Sequence, residues 1–555
     1  MLPVLELNSR LDRTSRNAVI YSVAALALAV LLMSSAPPAV DQAAHSHLQQ
    51  IFDAHGFELW DNSWYLGRYT FVNYSFAFYL LSYLIGLKTV AAISVAATTG
   101  LISLLSDRYF PGSFNGNRRL SLLVVPCMVL TGAWPFLLGV AFVLLALLMY
   151  SLGRKFLFLV VSTLVFLSSP LALLALVLLI AAAEVPFELV VIRSQWGNFA
   201  RRTSSSFYLD VAVLLVLVQF VSTRAFPDHG HYPYWFSDLV AVEIFALLCY
   251  VLVPKNLIHA LQLRMLIIGY GLANLLAFLT TSNLGSNATR VIDFAFPIIV
   301  ALLGLRKVSF RVIFTLLLAP VLVWNLMPLT QILSGAIYQT SKSAFWSRLW
   351  PALERNIVPG SRIELVDTSN HQGDYYLPAM GFTIARGWFR QDDFPQNQIF
   401  YGQQALTQSQ YLSWLRRSGV SLVVLPPGPY DFSSVGEAQL ISSGKSGLLP
   451  IAEIGRARIF KVPDPASVVR APGGTYIGAK IGLDSVTINV LVPGTYNLSL
   501  FYSPYFKTSG GTVCANAEGM TTWIINNPGP HRLIFDLSVR KVIEVLTGGA
   551  NSGCG

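Results

Sequence analysis

A series of long apolar segments in the first 334 residues constrains this chain more than any other feature. A membrane-spanning helix needs roughly 20 consecutive apolar residues between polar or charged flanks. Only 34 of the first 334 residues are charged, compared with 32 of the last 221, and the whole chain is 54% hydrophobic and 12% charged. A soluble protein carries about 25% charged residues. The sequence therefore excludes a single water-soluble domain and predicts a polytopic α-helical membrane domain over residues 17–333.

The apolar segments predict eleven membrane crossings: 17–35, 88–106, 120–133, 136–152, 157–168, 170–191, 208–224, 238–253, 261–281, 291–305 and 312–332. A further segment, Phe71–Leu87, is assigned to the outer interface, because counting it as a crossing would put Arg108, Arg118 and Arg119 outside. With this assignment sixteen Lys or Arg flank the inner ends and four flank the outer ends. Positive residues stay cytoplasmic.

The charge bias therefore predicts a multi-pass plasma-membrane protein. The tail 1–16 is predicted to be cytoplasmic, the first outer loop covers 36–87, and the last 221 residues are extracytoplasmic. The net charge of +10 is explained by this bias, so no nucleic-acid partner is predicted.

The C-terminal part predicts two modules after a linker at Ser334–Ala344. Residues 345–465 favour a mixed α/β module, with strands at Arg362–Val366 and Val420–Leu425 and a helix at Tyr411–Arg417. Residues 466–555 alternate apolar and polar positions between Gly and Pro turns, which is typical of a small β-sandwich. Its predicted strands are 487–491, 496–502, 521–525 and 532–537.

The four cysteines separate by location. Cys127 and Cys249 lie in apolar segments, where a free cysteine behaves as a small hydrophobe. Cys514 and Cys554 both lie in the predicted sandwich, where an oxidising compartment permits a disulfide or two free thiols. The sequence contains no CxxC, HExxH or P-loop pattern, so neither a metal nor a cofactor is predicted.

The first outer loop holds the densest group of candidate functional residues. Asp41 and His45 are four residues apart, which places them on one face of a helix. Asp41 is a candidate general base for an acceptor hydroxyl, or else the N-cap of an interfacial helix that ends near Ala54. His45 and His47 are either a metal-binding pair or polar residues at a wet interface.

Two later outer loops add candidates. Arg224–Trp235 contains His229 among aromatic residues, which favours either a binding loop or an aromatic belt at the membrane interface. Ser282–Asp293 contains Asn287 and Arg290. Arg290 would either bind a lipid phosphate or pair with Asp293 on the next helical turn.

Four motifs resemble those of actinobacterial polytopic membrane proteins. They are Asp41 with His45, Leu59-Trp60-Asp61-Asn62-Ser63-Trp64, Ser286-Asn287-Ala288-Thr289-Arg290, and Arg386-Gly387-Trp388-Phe389-Arg390-Gln391-Asp392-Asp393-Phe394-Pro395-Gln396-Asn397. The basic tail, one crossing, and a long outer loop that opens with Asp further resemble the GT-C-fold glycosyltransferases, which use polyprenyl-phosphate sugars.

The resemblance implies an inverting transfer of a sugar from a polyprenyl-phosphate carrier to an envelope glycan or lipid-linked acceptor, among membrane lipids. Asp41 would be the catalytic base, although Gln42 stands where many members carry a second acid. Arg68 and Arg290 would hold the phosphate. The other candidate substrate-binding residues are His45, Trp64, His229, Asn287 and Trp388.

Two alternatives stay open. The stretch Arg386–Asn397 is suited either to sugar binding through Trp388 or to docking the outer domain onto the membrane domain. The alternative function is a transporter or flippase, favoured by Glu184 and Glu188 within an apolar segment, or a non-catalytic component of envelope assembly.

Overall fold

The computed structural model describes residues 2–72, 74–110, 121–122, 124–194, 206–227, 230–295, 299–300, 302–303, 308–330, 338–402, 404–548 and 554. The described chain is mostly helical, with a sheet-rich C-terminal region. It separates into two compact units. The first comprises Met1–Ala39, Asn73–Phe220 and His231–Ala336, and the second comprises Val40–Val72, Val221–Gly230 and Ile337–Gly555.

The first unit is helical. Its α-helices are Leu2–Ser35, Phe76–Ile85, Leu87–Tyr109, Trp134–Ser151, Lys155–Ser168, Pro170–Ser194, Phe207–Ala225, Phe236–Leu252, Ala260–Leu279 and Val308–Leu326, and its 3-10 helices are Val125–Leu130, Gly285–Phe294 and Met327–Leu329. The helix Phe207–Ala225 continues into the second unit.

Small residues let two of these helices approach closely. Leu2–Ser35 packs along Leu87–Tyr109, and Ala25 and Ala29 are fully buried. A Cβ atom on Gly100 would lie 2.1 Å from Ser22 Oγ. Such close backbone packing through small residues is typical of helices in membranes, where no hydrophobic force drives helices together.

Five helices among the described residues are long and apolar enough to cross a membrane: Ser15–Ser35, Leu87–Tyr109, Trp134–Ser151, Phe207–Ala225 and Ala260–Leu279. Each overlaps a predicted crossing. Phe76–Ile85 has ten residues and spans about 15 Å, half of the hydrocarbon core. The total of eleven crossings and their orientation stay predictions.

Two predicted crossings differ from the structure. The segment 120–133 contains the 3-10 helix Val125–Leu130, with Pro126 in its first turn. Its six residues rise only about 12 Å, so this part is not a membrane-spanning α-helix. The segment 291–305 begins inside a second 3-10 helix, Gly285–Phe294. Apolarity alone predicted both crossings, and it does not report helix type.

The second unit holds all fifteen strands of the described residues. They are β1 Trp60–Asp61, β2 Arg68–Tyr69, β3 Arg362–Leu365, β4 Val420–Leu425, β5 Leu449–Ile454, β6 Ala457–Lys461, β7 Val469–Arg470, β8 Tyr476–Ile477, β9 Ala479–Ile481, β10 Ser485–Val490, β11 Gly494–Phe501, β12 Phe506–Thr508, β13 Thr512–Ala515, β14 Met520–Ile525 and β15 Gly529–Phe535. Its helices are Gln42–His55, Ser343–Ser347, Trp350–Asn356, Gln372–Ala379, Arg390–Gln396, Gln408–Arg417, Val435–Ser442 and Val539–Leu546, with 3-10 turns at Gln339–Ser341 and Gln398–Phe400.

A four-stranded sheet with the order β3-β4-β6-β5 forms the α/β part of this unit. Strands β3 and β4 are parallel and the other pairs are antiparallel. Every residue of β4 is buried, and its alternate side chains enter two different cores. Both faces of the sheet are therefore covered, which explains the uninterrupted apolar sequence of β4.

Strands β1 and β2 form a two-stranded sheet, and β7 to β15 form two larger sheets, β12-β15-β10-β9 and β13-β14-β11-β7-β8. Inward side chains of both sheets share one hydrophobic core, which makes this part a β-sandwich. A disulfide joins Cys514 on β13 to Cys554, with the two Cα atoms 5.1 Å apart.

Residues 57–72 of the first loop are built into both parts of this unit. The Trp60 side chain lies in the sandwich core and stacks on Phe535 at 5.7 Å between ring centroids, whereas Trp64 and Tyr65 lie in the α/β core. The loop was predicted to belong to the membrane domain, but the compact unit that contains it is the C-terminal one.

Candidate functional site

Asp41 stands at the N-cap position of the helix Gln42–His55. Its side chain makes no capping hydrogen bond to the described backbone of that helix. Its Oδ1 accepts a hydrogen bond from Trp388 Nε1 at 3.2 Å. The residue is half-buried, and the partial positive charge at a helix N-terminus stabilises a carboxylate anion. Asp41 therefore occupies the predicted N-cap position without making the capping bond.

Trp388 connects Asp41 to a buried polar cluster. Its indole stacks on the His371 ring, with centroids 3.3 Å apart and ring planes 10° from parallel. The Arg390 guanidinium also lies over the indole, 4.6 Å from the ring centroid. Ring contacts within the protein thus use much of the face that a sugar would need for stacking.

His371 lies between two aspartates that follow strand β3. Its Nδ1 and Asp367 Oδ2 are 2.5 Å apart, and its backbone is in the left-handed region at φ 53°. Asp367, His371 and Asp374 are all buried and offer ligand atoms within 4.8 Å of one another. Asp367 and Asp374 also line a cavity of about 10 Å³, which is room for one water molecule or ion.

Asp374 is the least satisfied carboxylate of the cluster. Within the described parts of the chain, its Oδ2 is buried and has no hydrogen-bond partner. Burial, followed by repulsion from Asp367, raises the pKa of Asp374 well above its ordinary value. An ionised carboxylate is costly in such a site unless a cation or a proton compensates its charge.

A second group of buried charges surrounds Arg386. Its guanidinium contacts Glu364 Oε1 and Glu437 Oε2, each at 2.7 Å, and Tyr411 Oη donates to Glu437 Oε1 at 2.6 Å. Burial raises the pKa of Glu364 well above its ordinary value. The single guanidinium of Arg386 binds two carboxylates, one on β3 and one on the helix Val435–Ser442, and so connects these two elements. Its positive charge is already balanced by these two acids.

Arg390 is held in a similar way. Its guanidinium contacts Asp431 and donates to Tyr401 Oη at 2.7 Å. Burial acts to raise the pKa of Asp431, but Arg390 and then His371 hold that pKa below its ordinary value. Asp431 is therefore an anion already compensated by its neighbours.

Arg68 is engaged within the same unit. Its Nε donates to Asp392 Oδ2 at 2.8 Å, and its guanidinium lies 4.2 Å from the centroid of the Phe389 ring. The pair is nearly excluded from solvent, with side chains 12% and 2% exposed. Arg68 thus links β2 to the helix Arg390–Gln396 rather than presenting a free charge to a phosphate.

The first-loop histidines are buried. His47 Nε2 lies 2.9 Å from Asp61 Oδ2, and its ring stacks on Trp64 at 4.2 Å. Trp64 is 0% exposed, and its Nε1 donates to the Asp374 carbonyl oxygen at 3.0 Å. An indole without exposed surface cannot stack on a substrate, so Trp64 is a packing residue. His45, at 2% exposure, likewise offers almost no surface.

Asn287 and Arg290 belong to the first unit, in the 3-10 helix Gly285–Phe294. The loop before Phe236 contacts this region: Tyr232 N donates to the Ser282 carbonyl at 3.0 Å and Ser286 N to the Pro233 carbonyl at 3.3 Å. The structure therefore brings together two of the loops predicted to be outside. His229 is the candidate binding residue of the loop Arg224–Trp235, and it lies outside the described residues.

Sequence reasoning missed the Asp367, His371 and Asp374 cluster. A signal was present, because three potential metal ligands, two aspartates and one histidine, fall within eight positions directly after a buried strand. Neither Glu364 nor Glu437 gave any signal, since each is a single acid in an otherwise ordinary strand or helix.

No protein-family model and no curated protein matches this chain. Among solved structures, it is similar to the mycobacterial arabinofuranosyltransferase AftD determined by single-particle cryo-EM, with 12% sequence identity and a TM-score of 0.41. The match covers 95% of this chain and 57% of AftD. The chain therefore spans little more than half the length of that protein.

Proposed function

We propose that this protein is a membrane glycosyltransferase of the GT-C type. It moves a sugar from a polyprenyl-phosphate donor to an envelope glycan or lipid-linked acceptor on the outer face. One observation carries the proposal: the first-loop carboxylate of Asp41 is held by Trp388 at 3.2 Å, next to a buried cluster of acids and arginines.

The apolar helices support a lipid-linked donor. Five helices of the described residues are long and apolar enough to cross a membrane. Nucleotide sugars are made in the cytosol, so an enzyme acting outside needs its activated sugar delivered on a lipid. A polyprenyl phosphate supplies both the membrane anchor and a good leaving group.

In the proposed transfer, the acceptor hydroxyl oxygen attacks the anomeric carbon of the donor sugar. The bond between that carbon and the phosphate oxygen breaks, and its electron pair leaves with the polyprenyl phosphate. Asp41 takes the proton of the acceptor hydroxyl as general base. A single displacement of this kind inverts the anomeric configuration.

The surroundings of Asp41 suit this role. The indole N–H of Trp388 orients one carboxylate oxygen and is a neutral donor, so this bond leaves the negative charge in place. The N-terminus of the helix Gln42–His55 adds a partial positive charge. The proposed base is thus oriented by the C-terminal module through Trp388.

Arg290 is our candidate for the donor phosphate. Arginine binds phosphate through parallel hydrogen bonds, and Arg290 lies in a loop predicted to be outside. Arg68 has a positioning role in the proposal, because its bond to Asp392 at 2.8 Å holds β2 against the segment that follows Trp388.

The test replaces Asp41 by Asn, which keeps the oxygen that accepts from Trp388 and removes the base. Cells lacking the gene are complemented with wild type, Asp41→Asn or the matched control Asp53→Asn, which changes an exposed acid of the same helix. Loss of a general base costs about 10²–10⁴-fold in rate. We expect Asp41→Asn to lose envelope glycan product and Asp53→Asn to retain it, by mass spectrometry of the glycans.

Isolated membranes provide the second readout. They are supplied with radiolabelled polyprenyl-phosphate pentoses and hexoses, and the variant proteins are quantified in the same samples. Equal product from wild type and Asp41→Asn at equal protein would refute the proposal and favour a transporter or a non-catalytic envelope component.

A further inference from the structure

Asp367, His371 and Asp374 have the composition and spacing of a metal site. One imidazole and two carboxylates converge at the end of β3, all three are buried, and the ligand atoms they offer lie within 4.8 Å of one another. Ligand atoms bound to one ion at about 2.1 Å in a tetrahedral arrangement are about 3.4 Å apart. The three groups would therefore close by up to about 1.4 Å around an ion.

An independent observation points to a missing cation. Asp374 is 3% exposed, and its Oδ2 is buried without a hydrogen-bond partner among the described residues. Asp367 Oδ1 is buried and has no partner there either. Buried polar atoms are nearly always satisfied in native proteins. Both acids line the small cavity, together with Asp393, Arg386 and Arg390.

Neighbouring arginines compensate these acids only in part. Arg386 attracts Asp374 but is bonded to Glu364 and Glu437, and Arg390 is bonded to Asp431. Asp367 pairs with the His371 imidazole, whose Nε2 also lies 3.9 Å from Asp431 Oδ2. A doubly positive ion would compensate both carboxylates at once, which one more hydrogen bond could not do.

We propose that Asp367, His371 and Asp374 bind a divalent transition-metal ion, Zn²⁺ or Mn²⁺. An imidazole ligand favours Zn²⁺ and related ions, carboxylates are compatible with both Zn²⁺ and Mn²⁺, and Ca²⁺ prefers an all-oxygen set. The cavity volume of about 10 Å³ admits a single ion or water and excludes a larger ligand.

The site goes beyond sugar transfer but lies beside the residues proposed for it. His371 stacks on Trp388, and Trp388 donates to Asp41. A bound ion would fix the His371 ring and, through stacking, the indole that orients Asp41. Its role is structural in this arrangement, and metal binding does not depend on whether Asp41 is a base.

The test uses the full-length protein purified in detergent and stripped of metal with EDTA. Zn²⁺ and Mn²⁺ are titrated separately by calorimetry into wild type, Asp374→Asn and Asp61→Asn. Asp61 is the matched control, because it also pairs with a buried histidine that stacks on a tryptophan. Loss of an outer-shell partner weakens metal binding about 10–100-fold, so loss of a ligand should cost about 100-fold or more.

We expect wild type and Asp61→Asn to bind one equivalent and Asp374→Asn to bind about 100-fold more weakly. A second measurement does not require the variant to fold: pulsed EPR of wild type loaded with Mn²⁺ should show nitrogen coupling from one imidazole. No saturable binding of either ion, equal binding by Asp374→Asn, or bound Mn²⁺ without nitrogen coupling would each overturn the proposal. None of these readouts measures sugar transfer.

Discussion

Two buried histidines of this protein each stack on a tryptophan and pair with an aspartate, but the two aspartates differ in how many of their oxygens are hydrogen-bonded. His47 stacks on Trp64 and pairs with Asp61, and His371 stacks on Trp388 and pairs with Asp367. Both Asp61 oxygens have partners, because Ser63 donates to Oδ1 through its amide at 2.7 Å and through its hydroxyl. Asp367 keeps an orphaned oxygen, and a second acid, Asp374, lies beside it.

This difference in hydrogen bonding between Asp61 and Asp367 distinguishes a structural role from a functional one. A buried carboxylate with partners for both oxygens helps to fix a loop in place, as Asp61 does for residues 57–72. An incompletely satisfied one costs stability and is retained where a site needs the unpaired group. Removal of Asp61 should therefore destabilise the folded protein, whereas removal of Asp374 should stabilise it in the absence of metal. The next three predictions test this difference.

The largest expected effect is that of Asp61→Ala. Removing one partner leaves His47, 2% exposed, without its acceptor, and breaking a buried ion pair costs about 3–5 kcal/mol. Hydrogen exchange by mass spectrometry should show this loss in the local opening free energy of residues 40–72, with Asp53→Ala as the exposed control. A loss below about 1 kcal/mol, the scale of a surface pair, would mean that the first-loop pair does not fix the loop.

Acidification should give the next largest effect. Burial acts to raise the pKa of Asp61, but His47 and Ser63 hold it below its ordinary value of 3.8. A carboxyl group whose pKa is lowered by folding stabilises the folded state at pH values above its pKa in the unfolded chain. That stabilisation is lost as the pH falls through its pKa in the folded protein. Exchange protection of residues 40–72, corrected for intrinsic rates, should fall below about pH 4 in wild type.

Asp61→Asn should remove that pH dependence. Asp374 has a raised pKa and should behave in the opposite sense. Burying Asp374 costs no stability below its pKa in the unfolded chain, and the cost grows as the pH rises toward its pKa in the folded protein. The hydrogen-exchange protection of residues 362–386 should therefore decrease above about pH 4 in metal-free protein. Identical pH profiles for the two segments would contradict the comparison.

The smallest effect is expected for Asp374→Asn in metal-free protein at neutral pH. Because the substitution removes a buried, uncompensated charge, the opening free energy of residues 362–386 should rise by about 1 kcal/mol. Added Zn²⁺ should stabilise wild type and leave the variant unchanged. A clear loss of protection in the metal-free variant would show that Asp374 is a structural partner instead.

Local patterns in the sequence determined much of the secondary structure. The apolar run between Gly419 and Pro426 predicted β4 residue for residue, and alternation predicted β10, β11, β14 and β15 within a few residues. The helix expected from Asp41 to about Ala54 is Gln42–His55. These features are local, because strand and helix periods are set by neighbours along the chain.

The tertiary structure alone decided which segments share a unit. Trp64 packs on Gly387, where a Cβ atom would lie 2.4 Å from the indole, Arg68 pairs with Asp392, and Asp41 accepts a hydrogen bond from Trp388. Such contacts join positions more than 300 residues apart, and their specificity comes from shape and charge complementarity that has no period. The sequence therefore determined the elements and named Asp41, Arg68 and Trp388. Packing decided that Arg68 is paired, that Trp64 is buried, and that Asp374 Oδ2 has no hydrogen-bond partner among the described residues.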